Sequence, residues 1–237
     1  SADRESQFQI AYGNKNGGGA LAYNNAAAAG VSTTSTIYGQ YRSLVLEDEN
    51  SDFIFGNFTG SSIYVISVER ARYKESLLPG SLNLTIGKAS KTIRLTDNSK
   101  DVTLPTYYGT QRAYQIVSGS NGAAYSGNGY TPASGSYGLF LPDTSTIILN
   151  AAALDDNSAG GGGINLGTVT TANSAGNNNQ RLFNAIVSGS NFGLNSEETI
   201  TSDFVFVRAR NSEFNYSENP SYISGSTGEV VYNYFIN

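Results

Sequence analysis

Four residue types are missing from this 237-residue chain: cysteine, histidine, methionine and tryptophan. Without cysteine there is neither a disulfide nor a thiolate metal site. Without histidine, the commonest general base and the commonest metal ligand are both gone. What remains for catalysis is a carboxylate pair, as in glycosidases, or a serine–lysine dyad. No spacing in the sequence singles out either, so no catalytic, cofactor-binding or metal-ligating residue is assigned. The chain is expected not to be an enzyme and to need no cofactor.

Charge and proline are also scarce. Asp, Glu, Lys and Arg make up 14% of the residues, well below the usual quarter, so the surface must be covered largely by Ser, Thr, Asn and Gln. The net charge of −5 argues against nucleic-acid binding through phosphate contacts. No apolar run is long enough to span a bilayer, and no signal-peptide pattern is present, so no membrane contact is expected. The chain opens on Ser1, has no Met, and closes on the apolar, strand-like Tyr234-Phe235-Ile236-Asn237. Natural termini are more often polar and frayed, which predicts a fragment of a longer protein.

Glycine and aromatic residues are plentiful, with 27 Gly, 16 Tyr and 11 Phe setting a β-rich, turn-rich character. Phe8, Ile10 and Tyr12 alternate as a strand, and residues 13–34 read as a loop that could lie along a neighbour. Ile37, Tyr41, Leu44 and Val45 fall on one helical face, with Ser35 as N-cap and an end before Glu47-Asp48-Glu49. From Asp52 onward the alternation is that of strands: Phe53 and Phe55; Tyr64, Ile66 and Val68; Leu82, Leu84 and Ile86; Ile93 and Leu95. Residues 88–91 form a hairpin turn between the last two sets. Tyr114, Ile116, Leu139, Leu141, Ile147 and Leu149 continue the pattern, around a long loop at 118–138 that carries Tyr125, Tyr130 and Tyr137. Ala151 to Asp156 suggests one helical turn. A second helix places Leu182, Phe183, Ile186 and Val187 on one face, with Gly189 at its C-terminal end. The fold class expected is mainly β. Antiparallel sandwich or barrel-like sheets would carry one or two short helices and long Gly/Ser/Asn-rich loops. Residues 1–237 read as a single β-rich region with a candidate sub-boundary near 157–180.

Three motifs merit weighing. Ile116–Asn121 and Ile186–Asn191 share the hexapeptide Ile-Val-Ser-Gly-Ser-Asn, a repeat or a coincidence of composition. Asp48 to Asp52 offers oxygens in calcium-loop spacing, but Phe53 and Thr59 stand where glycine and glutamate are needed, which rejects that site. The third is Arg-Ala-Arg-x-x-Glu, which ends two apolar runs, one at Arg70, Arg72 and Glu75 and one at Arg208, Arg210 and Glu213. On strands, each arginine pair would continue an apolar face and turn it cationic at its rim. Such a rim suits a carboxylate or partner patch, or structural pairs of Arg72 with Glu75 and Arg210 with Glu213. The run Phe204 to Arg210 is apolar on both faces, the pattern of a strand inside the main sheet.

Several blocks resemble a family of virion structural proteins from contractile-tailed phages of marine cyanobacteria. They are Ile37 to Arg42 (IYGQYR), Glu69 to Gly80 (ERARYKESLLPG), Leu82 to Thr85 (LNLT), Tyr137 to Pro142 (YGLFLP) and Ser202 to Gly225 (SDFVFVRARNSEFNYSENPSYISG). The resemblance covers most of residues 35–237 and is specific in the two arginine segments. It implies a non-enzymatic structural subunit of the phage particle, in the tail or baseplate region, with no catalytic residues. The implied partners are other virion proteins and further copies of the chain in a symmetric particle. Such a subunit is assembled in the host cytoplasm and is extracellular in the mature virion. The competing expectation is a glycan-binding or depolymerising tail fibre or tailspike domain, with Tyr125, Tyr130 and Tyr137 stacking on sugars beside a carboxylate pair.

Overall fold

The structure, a computed structural model, describes residues 5–23, 32–158, 162–208, 223–224 and 229–230. The chain divides into two compact units, Ser1–Thr199 and Ile200–Asn237. In chain order the first unit begins with β1 (Phe8–Asn14), α1 (Thr33–Leu46), β2 (Phe53–Phe55), β3 (Phe58–Gly60), β4 (Ser62–Val68) and β5 (Ser76–Leu77). It continues with β6 (Asn83–Lys88), β7 (Lys91–Asp97), β8 (Thr106–Tyr108), β9 (Gln111–Ser120) and β10 (Ala123–Ala124). It ends with β11 (Gly138–Leu141), β12 (Thr146–Asn150), α2 (Ala151–Asp155), α3 (Asn178–Gly189), β13 (Asn191–Gly193) and β14 (Ser196–Glu197). In the second unit β15 (Ile223–Ser224) pairs with β16 (Glu229–Val230).

The protein is mainly β. Its main sheet is antiparallel and curled into a half-barrel, in the order β1-β4-β12-β11-β9-β7-β6-β13. β4 lies near the middle of the hydrophobic pattern. Tyr64 and Ile66 point into the main core, and Ile63 and Val65 point to a second core on the outer face. β12 divides in the same way, with Ile147 and Leu149 inside and Ile148 outside. Strands buried on both faces must be apolar at successive positions, which is the run seen in each. The outer core is closed by Tyr38 and Val45 of α1 and by Phe53 and Phe55 of β2. Phe53 meets the Tyr38 ring edge-on, with centroids 5.5 Å apart.

The open side of the half-barrel is spanned by α3, which packs on both β6 and β1. Leu182, Ala185 and Ile186 face the main core, while Phe183 and Val187, expected on the same face, are exposed. Gly189 lets the helix end meet the sheet: a Cβ there would sit 1.8 Å from the Thr85 carbonyl oxygen. α1 turns inward a face shifted from the one expected. Val45 is buried and Tyr41 packs on the outer core as expected, but Tyr38 is buried there too and Leu44 is exposed, and the N-cap is Ser32, not Ser35.

Buried tyrosine stands in for the missing Met and Trp, and each hydroxyl ties down a loop. Tyr38 donates to the Gly60 carbonyl at 2.8 Å, and Tyr137 donates to the Gly162 carbonyl at 2.8 Å. The Tyr64 hydroxyl lies 2.8 Å from that of Thr168. Burial pushes the Tyr38 and Tyr137 phenols up to about 12, and Tyr64 also rises well above the ordinary tyrosine value.

Two turns explain how the strands connect. The hairpin at 88–91 forms as expected, with Ala89 in the left-handed region at φ 53°. The expected loop 118–138 is shorter. β9 runs to Ser120 and turns through Asn121-Gly122, at φ 52° and 86°, into β10. Two successive positive φ values make this a type I′ hairpin turn, the geometry that favours Asn-Gly. The shared hexapeptide therefore lies in β9 up to Ser120 in its first copy, whereas the second copy is helix from Ile186 to the end of α3 at Gly189. Nor does the stretch near 157–180 part the first unit, because Ile164 and Leu166 are buried in its main core.

Candidate assembly surface

The first arginine block is not a continued strand. β4 stops at Val68, and Arg70–Arg72 form a single 3-10 turn with no buried residue. Arg70 donates to the carbonyls of Tyr73 and Lys74 at 2.9 and 2.7 Å and lies over the Tyr73 ring. Arg72 pairs with Glu5 and not with Glu75. Glu75 instead accepts the Thr199 backbone N–H at 2.9 Å, and the bonds from Thr199 hold its carboxyl below the ordinary range. The reason is topological. The turn after β4 swings the chain beside β14, which brings the Thr199 N–H to Glu75.

That strand pair is the anchor of the region. Ser76 and Leu77 of β5 pair with Glu197 and Ser196 of β14. Arg112 on β9, which lies in no sequence motif, clamps it. Its guanidinium reaches Asp143 Oδ1 at 2.7 Å and Glu197 Oε1 at 2.8 Å, and its backbone N–H donates to Asp143 Oδ2 at 2.8 Å. The Ser76 hydroxyl also donates to Glu197 Oε1 at 2.8 Å. Hydrogen bonds to Asp143 and then Glu197 raise the Arg112 pKa further, so the guanidinium is charged at every accessible pH. The partners lie 31 and 85 residues away in sequence, beyond the reach of any local motif.

Directly after this anchor comes the second apolar run. The described part, Ile200 to Arg208, forms no strand and takes no place in the main sheet. This corrects the expectation for Phe204 to Arg210. Ile200 is 82% exposed, Phe204 93%, and Phe206 fully so. Val205 and Val207 are exposed too. Arg208 is exposed at the end of the described run, and Arg210 and Glu213 lie outside the described residues. Large contiguous apolar exposure of this kind marks an interaction surface more often than a tolerated accident.

Other carboxylates of the first unit are held by its own backbone and side chains. Asp97 is fully buried and accepts from the Gly80 N–H at 2.8 Å, fixing the turn after Pro79. Asp155 accepts from the N–H groups of Gly167 and Thr168, at 2.7 and 3.0 Å. Asp52 pairs with Lys15 at 2.7 Å. Among the described residues, no three acidic side chains gather in a way that could hold a metal ion.

The three tyrosines proposed for sugar stacking part company. Tyr137 is 2% exposed and belongs to the main core. Tyr130 is half-buried and its ring lies against Gly56, where a Cβ would come within 2.5 Å of it. Only Tyr125 of the three is open to solvent, and the Ser120 hydroxyl and Arg94 lower its phenol pKa. Gly17–Gly19 also packs within the chain: the Gly19 N–H donates to the Thr171 carbonyl at 2.9 Å, and a Cβ on Gly18 would lie 1.9 Å from the Thr170 oxygen. No family model, no curated protein and no solved structure matches this chain.

Proposed function

We propose that this chain is a non-enzymatic structural subunit of a phage virion, in the tail or baseplate region, packing against other virion proteins and further copies of itself. The observation that carries the reading is the exposed run from Ile200 to Val207, which leaves a firmly anchored β14 with its phenylalanines in solvent. An apolar segment of that kind is costly in an isolated chain and is used where another surface covers it. The place in the particle rests on the resemblance of the Glu69–Gly80 and Ser202–Gly225 blocks to virion proteins of contractile-tailed cyanophages. Such a protein is extracellular once the virion is mature. Peptide mass spectrometry of purified particles tests this: the subunit reading expects the chain at fixed stoichiometry with the tail proteins. Loss of the chain on purification of the particles would overturn it.

A second reading, glycan binding, draws on one feature. A polar groove of about 400 Å³ is lined by Asn83, Arg94, Ser120, Asn121 and Asn191, and Tyr125 stands beside it through its contacts with Ser120 and Arg94. Amide side chains and an exposed aromatic ring are a usual sugar-binding set. Host polysaccharide binding by the purified chain that is lost in Tyr125→Ala would favour this reading over the first.

A further inference from the structure

β1 is the last strand of the main sheet and pairs only with β4 among the described strands. At the opposite end of the sheet, β13 meets it through the Phe8 and Phe192 rings, whose centroids are 5.1 Å apart. Beside that contact lies a groove of about 480 Å³, lined by Glu5, Phe8 and Ile10 on one side and by Asn179, Gln180 and Phe183 of α3 on the other. Phe183 is 46% exposed there. A free strand edge next to apolar side chains is a template for an added strand.

The same chain carries a strand that fits. We propose that residues 203–208 of one copy add as an antiparallel strand to the free edge of β1 in a second copy. Setting Phe206 opposite Phe8 and Phe204 opposite Ile10 puts both phenyl rings on the face that Phe8 and Ile10 already turn to the core, within reach of Phe183. Val205 and Val207 then lie on the outer face opposite Gln9 and Gln7. Charge agrees with this direction and not with the reverse. Arg208 falls beside Glu5, and Asp203 falls toward the N-terminus of α3, whose first turn holds no acidic residue. Donor and acceptor on one chain make a head-to-tail contact, which forms a ring of copies where the rotation between them closes and a filament where it does not. This inference rests on the structural-subunit reading and names the contact that such copies would make.

The absence of cysteine from the sequence gives a clean test. Gln9 and Val205 would be directly opposed on the outer face, within disulfide reach. Gln9→Cys and Val205→Cys are purified separately, mixed and oxidised. The proposal expects a disulfide-linked dimer joining the two variants, formed about tenfold more than with Thr92→Cys on β7 as the acceptor. Phe204→Asp with Phe206→Asp in the Val205→Cys chain should abolish it. Equal yields from the Gln9 and Thr92 acceptors would overturn the proposal. So would a Gln9→Cys/Val205→Cys double variant that closes only within one chain. Particle mass spectrometry separates the two failures. A chain present in virions without the crosslink removes this contact alone. A crosslink formed by a chain absent from virions removes the subunit reading and leaves the contact standing.

Discussion

Two apolar runs of this chain look alike on paper and have opposite fates. Ile63 to Val68 becomes β4, flanked by β1 and β12 and covered on both faces, with Ile63, Tyr64 and Ile66 wholly buried. Phe204 to Val207 carries the same two-faced pattern and stands in solvent. Both are followed by Arg-Ala-Arg. The difference lies not in the runs but in what the chain supplies to cover them. β4 has a core on each side, with α1 and β2 closing the outer one. A two-faced apolar pattern therefore states that a segment needs covering, and leaves open which chain covers it.

A pair of matched truncations should part the two runs most widely. Ile66→Ala should cost about 2–5 kcal/mol in urea unfolding of the isolated chain, the range for a buried aliphatic side chain. Phe206→Ala should change stability by no more than about 0.5 kcal/mol, as for exposed positions. A large loss at Phe206 would mean that the second run is part of the fold. The cover over the first run can be attacked next. Gly189→Ala drives a methyl group into the Thr85 carbonyl and lifts α3 off the sheet, at a cost of about 1–3 kcal/mol or more.

The anchor that separates the two regions should give a smaller effect. Arg112→Lys keeps the charge but loses the planar fork that holds Asp143 and Glu197 together. With about a third of these side chains still in solvent, the loss should be about 1 kcal/mol. It should also speed hydrogen exchange at Ser196 and Glu197 while leaving β4 unchanged. Gly39→Ala sharpens the comparison from the other side. Nothing lies within 4 Å of the added methyl group, so α1 and the core beneath it should gain about 0.5–1 kcal/mol. Last comes pH. The folded-state pKa of Glu75 is depressed below its ordinary 4.5, so its contact with Thr199 is intact above that value and is lost as pH falls through the lower folded value. The Thr199 amide resonance should titrate with a midpoint below 4.5, and a midpoint at or above it would contradict the contact.

The longer strands of the main sheet were legible because burial writes itself as alternation, and the α2 turn and the 88–91 hairpin followed from local chemistry. What was not legible depended on distant residues. Ile-Val-Ser-Gly is strand beside Leu95 and Gly138 in one copy of the hexapeptide and helix over Thr85 in the other, so identical residues took their structure from their neighbours. Arg72 was expected to meet Glu75 three positions along the chain, and found Glu5. Arg112 carried no signal, because its partners come together only when β9, β14 and the turn after β11 are folded. The Asn121-Gly122 turn, by contrast, had a readable dipeptide that the glycine-rich surroundings hid.

Hydrogen exchange tests the central claim, that the second run is a surface for other chains, most directly. Amides of residues 201–207 and of β4 are followed by mass spectrometry in the isolated chain and in the assembled particle. The account predicts that β4 is protected in both, whereas residues 201–207 exchange at once in the isolated chain and become protected in the particle. Protection of residues 201–207 in the isolated chain, or fast exchange there in the particle, would contradict it.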